Sequence, residues 1–529
     1  MGVNITEVRL LSVPLEKDYK HTLWFASQGA QLSYFGLLPG RTLSRFNYIR
    51  KDNFISVDAK FDDLLKYNYV MYKNAAYSDK WFFAFITKTE YVNDNCTYLY
   101  IETDVLQTWM FDYTVKPSFI EREHVDNDAI GAHTVPETLE IGEYIINGSE
   151  RDNTLKPASA LVMGSTIVPS DLGKSIGGVY NGLYSGVKYY AYPTDGANGI
   201  NTLSQLIQSV TDEYDDGAIS SLFLAPEFVI PGFKNGGVVE QTQTPANYTY
   251  SVPKKYGLQG YTPRNNKLKT YPYTYLLVSN GNGSVAEYRY EFFDTDDCSF
   301  VVFGVLTPGC SIRMIPAIYK GVQLPEAEGL NLGKYPQCNW ATDQYTNWLT
   351  QNGVNIATGL INGAVGGVQG AVMGAGAGSV IPGVGTAVGT VVGGVTGAIG
   401  GFSQIAGTLN EVHKAQMAPP QTQGNINCGD VVTARGDNTF TYYHMSIREE
   451  FARIVDGFFD MYGYKCNRVK IPNENHRQNY WFTKCIDVNV DGAIPQGDLQ
   501  TIKACYNNGV TFWKNPDNIG NYAVANAVI

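Results

Sequence analysis

The 529-residue sequence predicts a mostly β protein with some helix, of the α+β class. Three observations support this class. Phenylalanine, tryptophan and tyrosine make up 13% of the residues, and such large rings suit half-buried pleated surfaces. Several segments alternate apolar and polar side chains, which is the pattern of a strand with one buried face. Two segments near the C-terminus instead carry the spacing and end signals of helices.

Strand signals dominate the first part of the chain, and we expect an N-terminal β-rich domain at residues 1–125. Its clearest strand is TYLYIETDV at 97–105, where apolar and polar side chains alternate. A hairpin is predicted at 273–293, where YTYLLVS, the turn NGNGS and VAEYRYEFF follow one another. Residues 126–343 are rich in turn residues and predict an inserted, β-rich middle domain.

The last predicted domain, residues 418–529, combines helices with strands. The segment SIREEFARIVDGFFDMYG predicts a helix that begins with a Ser446-x-x-Glu449 capping box and ends at Gly463. The helical spacing places five apolar residues on its predicted buried face: Ile447, Phe451, Ile454, Phe458 and Met461.

A second helix is predicted from Asp498 to about Asn508, closed by Gly509 and followed by the strand VTFW. The segment before it has the spacing of an EF-type calcium loop. The residues at loop positions 1, 3, 5, 6, 8 and 12 are Asp487, Asn489, Asp491, Gly492, Ile494 and Asp498. An Asp replaces the usual bidentate Glu, and the preceding YWFTKCI has a strand pattern. A turn that leads into the capped helix is therefore the alternative.

Charge and motifs argue against several classes of function. The net charge is −11, whereas proteins that wrap nucleic acid need clustered Lys and Arg. The six histidines show no paired spacing, and the sequence has no GxSxG elbow or P-loop. Glu121 with Glu123, and Asp294 to Asp297, are candidate acid–base carboxylates, and a solvated turn is the favoured alternative for both sets. We therefore expect no enzymatic activity and no cofactor.

The eight cysteines form no CxxC pair. We expect buried free thiols in a protein made in a reducing cytoplasm. Charged residues interrupt positions 1–20, so no signal peptide is predicted there.

Residues 344–417, here called the glycine-rich segment, differ from the rest of the chain. No residue between Asp343 and Glu411 is charged, and thirty of the thirty-nine residues at 363–401 are Gly, Ala or Val. Apolar surface favours leaving water, but each glycine costs a helix about 1 kcal/mol relative to alanine. We expect no stable fold of this segment alone in water.

The glycines recur every fourth residue, which aligns them on one face of a helix and lets a second backbone approach closely. Ile381, Pro382 and Gly383 separate the two halves as a turn, so two helices of about 20 residues, each about 30 Å long, could span a bilayer as a hairpin. A flexible loop or a hairpin packed inside a soluble core is the alternative. The zipper glycines are Gly366, Gly370, Gly374, Gly378, Gly385, Gly389, Gly393, Gly397 and Gly401.

Six short segments, in order along residues 1–125 and 430–529, closely resemble the tail knob, or distal tail tube, proteins of phi29-like short-tailed bacteriophages. Residues 126–340 differ from that family in length and in amino-acid sequence. The matching segments are DYKHTLWFAS (18–27), KWFFAFIT (80–87), DVLQTWMFD (104–112), SFIEREHV (118–125), YGYKCNRVKIPN (462–473) and NNGVTFWKNPDNIGNYAVAN (507–526).

The resemblance implies a homohexameric β-rich ring or tube at the tip of the virion's tail, next to other tail or collar proteins. It implies that phage DNA passes through the lumen without sequence-specific binding. It also implies that a long apolar loop blocks the lumen and then forms a pore in the host cytoplasmic membrane; by position this loop is the glycine-rich segment. The alternatives are a tail-associated enzyme that degrades cell wall and a purely structural or receptor-binding tip.

Overall fold

The computed structural model describes the chain in several stretches: residues 5–49, 52–155, 160–165, 177–180, 183–193, 219–230, 237–238, 246–306, 310–321, 328–332, 335, 337–339, 424–425, 439–474 and 477–524. The chain divides into two units. The first unit comprises Met1–Gly142, Tyr261–Lys269 and Glu449–Ile529, and the second comprises Glu143–Gly260 and Thr270–Arg448.

The strands are numbered here in chain order. In the described stretches, those before residue 142 are β1 (Ile5–Leu11), β2 (His21–Leu23), β3 (Gly40–Leu43), β4 (Phe46–Ile49), β5 (Phe54–Val57), β6 (Tyr69–Asn74), β7 (Lys80–Asn93), β8 (Cys96–Thr103), β9 (Tyr113–Val115) and β10 (Ser118–Glu123). Those of the second unit begin with β11 (Tyr144–Arg151), β12 (Ala160–Ser165), β13 (Gly177–Tyr180), β14 (Leu183–Pro193), β15 (Ile219–Ala225), β16 (Gly237–Val238), β17 (Ala246–Pro253) and β18 (Thr274–Ser279).

The second unit continues with β19 (Val285–Tyr288), β20 (Asp297–Val305), β21 (Ser311–Pro316), β22 (Leu330–Asn331), β23 (Gln337–Asn339), β24 (Gly424–Asn425) and β25 (Thr441–Ile447). The first unit resumes with β26 (Tyr464–Lys470), β27 (Tyr480–Asp487), β28 (Val490–Gly492) and β29 (Val510–Trp513). The α-helices of the described stretches are α1 (Gln28–Leu37), α2 (Phe61–Leu64), α3 (Val105–Trp109), α4 (Glu449–Tyr462) and α5 (Gln496–Asn508).

The first unit is built on two larger sheets. One has the order β3-β1-β6-β7-β8-β5-β4, and the other has the order β2-β29-β27-β10-β26. Strand β2 runs parallel to β29, with His21 opposite Thr511. The two ends of the chain therefore share one sheet, and they also share one core, in which Phe35, Tyr69 and Phe83 belong to the same cluster as Trp513.

The second unit contains three sheets within the described stretches. Their orders are β11-β25-β18-β19, β17-β20-β21-β22, and β13-β14-β12-β15-β23-β24 with β16 against β14. Strand β25 pairs with β11 and β18, so the described residues 439–448 group with this unit. Similarly, residues 126–142 belong to the first unit.

Several local predictions are confirmed. The strand predicted at 97–105 is β8, in which Leu99 and Ile101 are buried, and it ends at Thr103 because Asp104 caps α3. The predicted hairpin is formed by β18 and β19, which pair as antiparallel strands. The cysteines whose side chains the structure describes are free, and most are buried: Cys96, Cys298, Cys310, Cys466, Cys485 and Cys505.

Both predicted helix C-termini are confirmed, and the backbone conformation after each helix requires a glycine. At Gly463 the backbone φ is +61°, and a Cβ would lie 2.1 Å from the carbonyl oxygen of Glu123. At Gly509 φ is +92°, and the N–H bonds to the carbonyl of Cys505 at 3.1 Å. Only glycine adopts these left-handed conformations without a steric penalty. Helix α5 begins two residues before the predicted Asp498.

Helix α4 buries a different face from the one predicted. Ile454 is 69% exposed and Met461 is 37% exposed. Ile447 and Ser446 lie in β25 and not in the helix, so the predicted capping box does not form. The residues that the helix buries are Ala452, Val455, Asp456, Phe459 and Asp460.

The buried aspartates of α4 are held by the segment Tyr261–Lys269. The side-chain amide of Asn265 donates to Asp456 Oδ1 and to Asp460 Oδ1, each at 2.8 Å. The Tyr261 hydroxyl donates to Asp456 Oδ2 at 2.5 Å. Buried carboxylates are stable only when such partners satisfy them. The partners come from a distant part of the chain, which is why helical periodicity misassigned the face.

Helix α3 is also capped by a buried carboxylate. Asp104 Oδ1 accepts the backbone N–H of Gln107 at 3.1 Å, and Oδ2 accepts the hydroxyl of Tyr69 at 2.8 Å. Burial raises the pKa of Asp104 to about 6. The Gln107 side chain donates in turn to the Leu23 carbonyl at 2.7 Å. Helix α3 thus connects the two sheets of the first unit.

Asn265→Ala should lower the free energy of unfolding of the first unit by about 2 to 4 kcal/mol, because it removes donors from two buried carboxylates. Urea unfolding followed by tryptophan fluorescence measures this, since Trp24, Trp81, Trp109, Trp481 and Trp513 lie in this unit. Asn47→Ala, at an exposed position of β4, is the matched control and should stay within about 0.5 kcal/mol of wild type. An equal effect of both substitutions would contradict this role of Asn265.

The raised pKa of Asp104 predicts a pH dependence of stability. Between about pH 4 and pH 6 the folded state keeps a proton that the unfolded state has lost, so stability should fall as pH rises through this window. The difference between the folded pKa and the usual value of 3.8 corresponds to about 3 kcal/mol. Asp104→Asn should remove this contribution. Urea unfolding of both proteins from pH 4 to 7 tests it, and parallel profiles would refute it.

Candidate functional site

The glycine-rich segment lies outside the described residues, and so do all of its predicted zipper positions from Gly366 to Gly401 and the predicted turn at Ile381, Pro382 and Gly383. The described residues that flank this segment in sequence show how its two ends are held. Strands β23 and β24 flank the segment and pair with each other as antiparallel strands, with Gln337 opposite Asn425.

This strand pair is attached to a sheet of the second unit. Strand β23 pairs with β15, with Leu222 opposite Cys338, and β24 is the outer strand. Paired strands lie about 4.8 Å apart. Asn339 and Gly424, which flank residues 340–423 in sequence, therefore lie on neighbouring strands of one sheet.

Helices that could cross a bilayer would need both length and apolar composition. Within the stretches that the structure describes, no helix has both.

The calcium candidate residues are dispersed. Asp487 ends β27, and the backbone N–H of Asn489 donates to the Ser118 hydroxyl at 2.9 Å. Asp498, in the first turn of α5, accepts the Trp109 indole N–H at 2.8 Å.

Asp491 forms an ion pair with Lys116, and this contact lowers the pKa of Asp491. The segment runs through β28, which pairs with β9, so it is extended and does not wrap around an ion. Among the described residues, no group of three His, Cys, Asp or Glu side chains is arranged to hold a metal.

The candidate acid–base carboxylates occupy structural positions. Glu121 Oε2 lies 2.9 Å from the Lys484 amine, and the fully buried Glu123 pairs with Lys470. Asp294 lies in an exposed turn, 2.6 Å from Lys320. The predicted solvated turn is confirmed there but is wrong for Glu121 and Glu123, which lie in strand β10.

His124 is fully buried. Its Nδ1 accepts the Phe482 backbone N–H at 2.9 Å, and its Nε2 donates to the Asp460 carbonyl at 3.0 Å. Both ring nitrogens are therefore occupied by structural hydrogen bonds.

Comparison with known proteins decides the family. The profile described as "Bacillus phage phi29, Tail knob protein gp9, C-terminal domain" matches residues 239–527. The chain belongs to the phi29 gp9 tail knob family. The profile "Caudoviral major tail protein N-terminus" matches residues 4–114. The chain is thus a structural protein of the virion's tail, and the predicted family is confirmed.

Individual relatives align with nearly the whole chain. Tail knob protein gp9 of Bacillus phage PZA is 28% identical and that of phi29 is 27% identical, each over 98% of both chains. That of Bacillus phage B103 is 26% identical over 99% of this chain and 98% of its own. The alignments include residues 126–340, where the short matching segments do not occur.

Among solved structures, the bacteriophage C1 tail knob protein gp12 has the same fold. Its TM-score is 0.62 at 13% identity, and the match covers 99% of this chain and 100% of that chain. The predicted mostly β, α+β class is confirmed.

The sequence did not reveal the β23–β24 pair. The two strands are three and two residues long, too short for alternation to be recognised. The only available signal was the position of each strand at an end of the glycine-rich segment.

Added calcium should leave the thermal midpoint of the protein unchanged within about 1 °C, because a site that binds only the folded state would raise it. Thermal scans with excess chelator and with millimolar calcium measure this. A calcium-dependent rise that Asp487→Asn abolishes would restore the EF-type interpretation.

Proposed function

We propose that the chain is a subunit of a homohexameric tube at the distal end of the phage tail. The tube conducts the genome, and its glycine-rich segment first obstructs the lumen and then enters the host cytoplasmic membrane. The observation that carries this proposal is the β23–β24 pair, whose strands flank a segment that is rich in small residues and carries no charge from 344 to 410.

The anchor separates the segment from the folded units. Since both ends are held by backbone pairing to one sheet, the segment can change its surroundings while both units keep their cores. In lipid, its backbone must form its own hydrogen bonds, which favours helix even where propensity in water is poor. Glycines four residues apart let two such helices pack closely.

The charge of the chain suits passage of DNA. Six copies at −11 each would carry about −66, and a wall of that sign repels the phosphate backbone and does not bind it. Adjacent tail or collar proteins are the partners expected for such a tube, and the loop meets lipid only during infection.

We propose a role without catalysis. Of the candidate acid–base carboxylates, Glu121 and Glu123 are held in ion pairs, and Asp294 lies in an exposed turn beside Lys320. Absence of cleared bands on a peptidoglycan zymogram is the expected result.

Deleting residues 355–408 tests the membrane role. The variant keeps both strands of the β23–β24 pair and should assemble like wild type, as measured by light scattering during size-exclusion chromatography. It should lose the ability to release dye from liposomes. Leakage equal to that of wild type would eliminate the segment as the membrane-active part.

Single substitutions test whether dye release depends on close packing of the glycine zipper or only on the hydrophobicity of the segment. Gly370→Leu and Gly393→Leu add bulk on the zipper face and should reduce dye release several-fold. Val372→Leu and Val395→Leu, at positions off that face, are the matched controls and should release dye like wild type. Equal effects of both pairs would exclude a glycine zipper.

A further inference from the structure

The first unit contains a cavity of about 550 Å³ that the proposed function does not use. Residues of β10, β26, β27 and α4, together with Tyr522, line it. Sites for small organic molecules have volumes of about 300 to 1,000 Å³, so this cavity is large enough to hold one.

Three cations line the cavity in register on neighbouring strands. Arg122 of β10 lies opposite Lys465 of β26 on one side and opposite Lys484 of β27 on the other. Like charges directly opposite each other destabilise a sheet. This row therefore favours a negative group placed over it.

The cavity contains only partial compensation for these charges. Glu137 Oε2 accepts two hydrogen bonds from Arg122, at 2.7 and 2.6 Å, but Glu137 also pairs with Lys267. Glu121 lies 2.9 Å from the Lys484 amine. Each carboxylate is thus already engaged with at least one cation.

The remaining charge is positive. Lys465 bonds to Glu137 through its backbone N–H, and among the described residues no carboxylate forms an ion pair with its amine. Lys20 also lines the cavity, and its amine lies 3.1 Å from Asp18 Oδ2. The lining thus has four cations and two carboxylates, in a chain whose net charge is −11.

Aromatic rings form the apolar part of the wall. The ring of Tyr462 lies 4.9 Å from Phe458 and 5.3 Å from Phe482, measured between centroids. The Arg122 guanidinium lies 4.7 Å from the centre of the Phe458 ring. The cavity therefore offers apolar surface directly beside the row of cations.

We propose that this cavity binds a small organic anion. A carboxylate or phosphate head lies against Lys465 and Lys484, and an aromatic or aliphatic body packs on Phe458, Tyr462 and Tyr522. The cations select the charge of the ligand, and the rings select its apolar body.

Isothermal titration calorimetry of the full-length protein with naphthoate tests the site. Naphthoate should bind at one site per chain, whereas naphthylmethylamine, with a similar body and opposite charge, should not bind. Inorganic phosphate should bind at least about tenfold more weakly than naphthoate, because it lacks the apolar body. Absence of naphthoate binding, or equal binding of either comparison compound, would overturn the proposal.

Charge reversal then locates the site. Lys465→Glu should weaken naphthoate binding by about tenfold or more, and Lys20→Glu, at a more exposed position, should weaken it less. Lys66→Glu makes the same charge change at an exposed residue that does not line the cavity and should leave affinity unchanged. Near-ultraviolet circular dichroism confirms folding of each variant. Unchanged affinity in Lys465→Glu and Lys20→Glu would refute the assignment of this cavity.

Discussion

Backbone pairing between segments that are remote in sequence is the constraint on which this structure depends. Strand β2 near the N-terminus pairs with β29 near the C-terminus, and a single core cluster contains residues of both regions. The second unit is inserted between segments of the first, as Glu143–Gly260 and Thr270–Arg448. The β23–β24 pair repeats this arrangement on a smaller scale, since its two strands pair although the glycine-rich segment separates them in sequence. The chain is thus organised as one insertion inside another.

Buried charge is the second organising feature, and it is concentrated in the first unit. Asp456 and Asp460 orient α4, and Asp104 caps α3. Glu137 connects Arg122 with Lys267. Each buried ion costs desolvation energy that only well-placed partners offset. These groups therefore specify which elements meet, more than they add to stability.

Local patterns predicted those features that neighbouring residues determine. The strand β8, the β18–β19 hairpin and the glycine stops at Gly463 and Gly509 depend on nearby side chains and on backbone conformation. The family was recognisable from six short segments. The buried face of α4 was not, because Ile454 and Met461 form an apolar stripe that the helix leaves exposed.

The other features that sequence patterns missed are also non-local. The division into two units follows from the pairing of β25 with β11 and β18. The row of Arg122, Lys465 and Lys484 exists only because β26 and β27 flank β10. No periodicity along the chain indicates which strands become neighbours, so neither the units nor the candidate anion site could be derived from spacing.

The insertion of the glycine-rich segment between two paired strands is relevant to its proposed function, because we expect no stable fold of this segment alone in water. A segment with many glycines gains little from packing and loses much backbone entropy on folding. Such a segment at the end of a chain could be lost by fraying, and a segment that formed part of a core would destabilise that core when it left. Under the proposed function, closing it with a short strand pair would avoid both outcomes, because neither unit would need to unfold if the segment moved. Under this proposal, the free energy of relocation would be set by the segment's own apolar surface and by the lipid or protein that surrounds it.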